Sequence, residues 1–122
     1  MERSESIRKH FEASVAQGLG SWAEQSEDPV LGTAVFSWSG EPTVQVFEDG
    51  FIYSGKPALK LRYDELVGLD LLDLRSLMKA QKAPKESVEF AVTTSEGRHA
   101  LLVPLFLYTT LSGLLNAMLD GR

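Results

Sequence analysis

Apolar positions along this chain change their period twice, and the changes mark out its elements. From Ile7 they step by four, four, four and three through Phe11, Val15, Leu19 and Trp22, which keeps five large side chains on one helical stripe. Arg8, Lys9, Glu12, Gln17 and Glu24 fall largely elsewhere on that surface. Ser4 or Ser6 suits the cap, and Ser26–Pro29 supplies turn-forming residues at the end. Gly18 and Gly20 each cost roughly 1 kcal/mol relative to alanine inside a helix, so the last turn needs Trp22 docked to hold it.

After Pro29 the pattern alternates. Ala34, Phe36 and Trp38 are expected on one face of a strand, with Thr33, Val35 and Ser37 on the other. Val44 and Val46 continue in a second strand, and Asp49-Gly50 reads as a two-residue hairpin turn before Phe51. That turn would place Val46 opposite Tyr53 and Phe47 opposite Ile52. Leu59, Leu61 and Tyr63 form a further half-buried strand, and Val67, Leu69 and Leu71 alternate in the next. Asp73–Gln81 is ambiguous, since Leu74, Leu77 and Met78 are spaced for a short helix. Val88, Phe90 and Val92 then alternate, Thr94-Ser95-Glu96-Gly97 reads as a turn, and His99–Val103 returns. Pro104 ends the sheet and suits the first turn of a helix over Leu105–Leu119, with Leu107, Leu111, Leu114, Leu115 and Met118 on one face.

At 122 residues the chain has the size of one domain. The expected division is an N-terminal helix over residues 1–28 and a β-rich body over 29–122, forming one compact domain overall. With 43% hydrophobic and 24% charged residues it has the composition of a globular protein. It has no cysteine, which excludes disulfides, thiolate catalysis and zinc–thiolate sites. A net charge of -5 argues against nucleic acid and against nonspecific binding to anionic membrane, because both need a broad basic face. Charged residues interrupt the N-terminal stretch, so no secretory signal is read there, and Pro104 divides the longest uncharged run. A cytoplasmic location is the expectation.

The order of elements is a helix, about seven strands built mainly from hairpins, and a closing amphipathic helix. Three stretches in that order, Val44–Tyr53, Leu59–Leu69 and Val88–Leu119, resemble the bacterial pleckstrin-homology-like and GRAM-type domains. The resemblance covers roughly Val30–Leu119. It implies an α+β, mainly β fold, a bent seven-stranded antiparallel barrel or sandwich with a C-terminal capping helix, here with an extra N-terminal amphipathic helix. Members that bind phosphoinositides carry several basic residues around the first hairpin loop. Here that loop reads Ser39-Gly40-Glu41-Pro42, without positive charge, so no lipid site carries over at the usual place. A rival layout is the small acidic secretion chaperone, in which a central helix interrupts the strands.

The residues offer little catalytic chemistry. A nucleophilic triad needs a histidine, and only His10 and His99 exist, each read as a solvated or structural residue. No phosphate-binding loop is present, and no cofactor or metal site is expected. Glu48-Asp49 and Asp64-Glu65 are explained by turns. Two features are left as places for a partner. The Ile7, Phe11, Val15, Leu19 and Trp22 stripe would be a large apolar patch if exposed, suited to another protein or to a second copy. Arg75, Lys79, Lys82 and Lys85 form a basic cluster suited to an acidic partner or a lipid headgroup, although ordinary solvated lysines are the simpler account. The expected function is a non-catalytic protein-interaction or adaptor module. The alternatives are a membrane-surface adaptor acting through residues 75–85, and a small secretion chaperone or immunity protein that clamps a cognate partner.

Overall fold

The first helix ends sooner than its apolar stripe predicts, and a glycine is the reason. A computed structural model describes residues 3–23, 26–40, 43–55, 58–70 and 86–120. In it α1 spans Arg3–Ala16. Gly18 has φ +76°, Gly18 N–H donates to the Val15 carbonyl at 3.1 Å, and Leu19 N–H donates to the Ser14 carbonyl at 2.8 Å. Those two bonds around a left-handed glycine make a Schellman end, which satisfies carbonyls that would otherwise be orphaned. Leu19 and Trp22 therefore lie beyond the helix. Trp22 belongs to a short strand, β1 (Ser21–Trp22), and sits opposite Phe36.

The strands that follow are β2 (Glu27–Asp28), β3 (Gly32–Trp38), β4 (Val44–Phe47), β5 (Gly50–Tyr53) and β6 (Leu59–Arg62). All pairings are antiparallel; β1 and β2 both pair with β3, and the sheet continues through β4 and β5 to β6. A 3-10 turn over Tyr63–Glu65 leads to β7 (Leu66–Asp70), then β8 (Ser87–Thr94), β9 (Gly97–Pro104) and the closing helix α2 (Leu105–Asp120). The last three strands form a second antiparallel sheet in the order β7-β8-β9. The fold is α+β and mainly strand, and neither sheet closes on itself. The chain divides into two compact units, Met1–Glu65 and Leu66–Arg122. The expected boundary at 28/29 falls within the first unit, at the end of β2.

Two details of the first sheet depart from simple alternation. Ala34 pairs with Phe47 while Phe36 pairs with Val46, so β3 carries a bulge at Val35. A bulge inserts one residue and reverses the side-chain parity beyond it. Ala34 consequently shares a face with Phe47, whereas Phe36 and Trp38 share the opposite face with Val46 and Val44, which corrects the expectation of one common face. The β4–β5 register is also two residues from the expected one, with Val46 opposite Phe51 and Val44 opposite Tyr53. Glu48 and Asp49 make the turn, and Gly50 is already in β5. In this register Gly50 is closely packed, since a Cβ there would clash with the Leu61 carbonyl oxygen and Leu31 Cδ2.

Both faces of this sheet carry buried apolar side chains. On one, Phe36, Val44, Val46, Phe51 and Leu61 are buried, and Phe11 of α1 stacks on Phe36 at 4.2 Å between centroids. On the other, Leu31 from the β2–β3 turn packs with Ala34 and Phe47. Asp28 shapes that turn by accepting Val30 N–H at 2.8 Å and Leu31 N–H at 3.0 Å, and its second oxygen pairs with Lys60 Nζ at 2.8 Å.

Candidate interaction surface

The second sheet presents two chemically different faces, and the register assigns every residue to one of them. Val88 sits opposite Val103, Phe90 opposite Leu101, and Leu69 opposite Val92. These belong to the apolar face. Helix α2 packs against β7, β8 and β9, with Tyr108 meeting Phe90 edge-on at 5.6 Å. Phe106, Leu107, Leu111, Leu114 and Leu115 are buried on the helix, close to the expected face. Pro104 stands just before it, and Leu105 N–H donates to the Glu86 carbonyl at 2.8 Å.

The opposite face runs in rows across the strands. Gly68, Thr93 and Arg98 form one row, Asp70, Ala91 and Ala100 the next, and Glu89 with Leu102 a third. Leu102 is 56% exposed there, and Ala100 is exposed beside it. Arg98 Nη2 and Glu89 Oε1 pair at 2.9 Å with both side chains about half exposed, so the ion pair spans the row holding Ala91 and Ala100. Gly68 has open space where a Cβ would stand. Next to it Val67, displaced by a bulge between Leu66 and Gly68, is 64% exposed. This corrects the expectation that Val67 shares an inward face with Leu69. The Arg98–Glu89 pair thus lies across the middle of this face, over the row of the buried Ala91 and the exposed Ala100, with Leu102 exposed at one corner on β9 and Val67 at the opposite corner on β7.

The residues singled out from the sequence are distributed otherwise. Ile7 and Phe11 are fully buried in their own chain and Val15 is half-buried, so the N-terminal stripe is not an exposed apolar patch. Leu19 and Trp22 are half-buried, and Arg8 sits 4.9 Å from the Trp22 ring centroid as a cation–π contact. Arg75, Lys79, Lys82 and Lys85, with the ambiguous stretch over residues 73–81, lie outside the described residues. His10 is half-buried on α1. His99 Nε2 lies 3.2 Å from Thr94 Oγ1, which also accepts Glu96 N–H at 3.2 Å. That contact ties His99 to the β8–β9 hairpin.

Elsewhere the chemistry is sparse. A shallow depression of about 340 Å³ is lined by Gly18, Gly20, Ser21, Ser37, Trp38, Ser39 and Gly40, with no titratable side chain among them. Among the described residues no group of three or more His, Asp or Glu is arranged to hold a metal ion. No described helix is long and apolar enough to cross a membrane. No protein-family model matches the chain, and no curated protein matches it in sequence.

Sequence reasoning missed the Val67–Leu102 surface, although one signal for it was present. Ala100, Leu101, Leu102 and Val103 are four apolar residues in succession within a strand. Because side chains alternate, such a run must place half of them on each face, and one face of this sheet is taken by α2.

Proposed function

We propose that the chain is a non-catalytic protein-interaction module whose contact surface is the β7–β9 face carrying Leu102 at one corner and Val67 at the opposite one. The supporting observation is the exposure of these two large aliphatic side chains on a folded sheet, next to small residues and one ion pair. Side chains of that kind in water lose roughly 25 cal/mol for each Å² of apolar area left uncovered. A partner that covers them recovers that energy, and the Glu89–Arg98 pair lying across the face between them sets its orientation. The architecture behind the surface follows the pleckstrin-homology-like reading, with hairpin-built antiparallel sheets succeeded by a terminal helix on the last three strands. In that reading the N-terminal helix is a structural addition, because its apolar stripe is spent on its own sheet.

Site-specific photo-crosslinking in cells tests the proposal. A crosslinking residue placed at position 102 is expected to give discrete protein adducts, while one at the exposed Ala13 of α1 gives few. Equal and sparse adducts at both positions would remove the basis for the proposed surface.

A further inference from the structure

We draw no further inference here: the strongest candidate, the exposed β7–β9 face with Leu102 and Val67 at opposite corners, belongs to the surface already described, and nothing in the structure shows what covers it.

Discussion

The two sheets of this protein use their faces differently. In the first, each face has an identified contact from its own unit: Phe11 of α1 stacks on Phe36, and the β2–β3 turn sets Leu31 against Ala34 and Phe47. In the second, α2 covers one face while Glu89, Arg98, Ala100 and Leu102 on the other remain exposed. Five large side chains at helical spacing suggest a sticky helix, yet the two most apolar of them, Ile7 and Phe11, are core. Amphipathicity identifies an apolar face without saying whose surface covers it. The more informative feature is an aliphatic residue left outside a face that has already been covered.

The largest expected effect breaks the first unit at its helix. Phe11 is fully buried and stacked on Phe36, so Phe11→Ala removes a ring and leaves a cavity. It is expected to cost about 3–5 kcal/mol in chemical denaturation, against about 0.5 kcal/mol or less for Ala13→Ser on the exposed side of the same helix. A Phe11→Ala loss below about 1 kcal/mol would mean that the helix is not part of the core, and would return its stripe to the list of contact surfaces.

Two glycines sharpen the contrast between the sheets. Gly50→Ala drives a methyl into the Leu61 carbonyl and Leu31, and is expected to cost about 1–3 kcal/mol. Gly68→Ala enters open space and is expected to stay within about 0.5 kcal/mol of the unaltered protein. Similar losses at both positions would show that the β4–β5 register is not held by close packing at Gly50. A smaller effect belongs to Gly18→Ala, where φ +76° is costly for any residue with a Cβ and no neighbour is touched; roughly 1 kcal/mol is expected, read as a lower midpoint with an unchanged denaturant slope.

The same positions explain what was legible beforehand. The β8–β9 hairpin and α2 follow directly from pattern, because Val88, Phe90 and Val92 alternate without interruption, Ser95-Glu96 is a two-residue turn, and Pro104 separates strand from helix. The β4–β5 register was not legible, since a shift by two residues leaves every side chain on the same face. The close packing at Gly50, a tertiary fact, is one difference between the two alignments that alternation does not carry. The bulge at Val35 was hidden for a related reason: Ala34, Val35 and Phe36 are all buried, so composition along β3 carries no mark of the residue at which parity reverses. Helix α1 was overextended because Leu19 and Trp22 continue its spacing by coincidence while serving other elements. The exposed Leu102 surface was legible in part, from four successive apolar residues in a strand, but Val67 was not, since its exposure depends on a second bulge.

The smallest expected effect concerns the strap that covers the first sheet's second face. Asp28 holds it by two kinds of bond, and they separate experimentally. Lys60 Nζ, donating at 2.8 Å, and after it the Val30 N–H keep the Asp28 carboxyl below its ordinary value of 3.8. A carboxyl lowered on folding contributes stability that is complete above the unfolded value and is lost as pH falls through the folded one. The Asp28 contribution is therefore expected to be constant from neutral pH down to about 4, where the unfolded group begins to titrate, and to disappear below that. Asp28→Asn keeps an oxygen for the Val30 and Leu31 amides and removes only the charge, so it should abolish this acid-dependent part with little change in fold. Asp28→Ala removes the amide acceptor as well and should destabilise more at every pH, because Leu31 N–H is then left part-buried without its acceptor. Denaturation midpoints of the two variants between pH 3 and pH 7 decide the matter. Equal losses for Asn and Ala would assign the strap to the Lys60 pair alone, and the first sheet's second cover would then rest on one half-exposed ion pair, much closer to the condition of the exposed β7–β9 face.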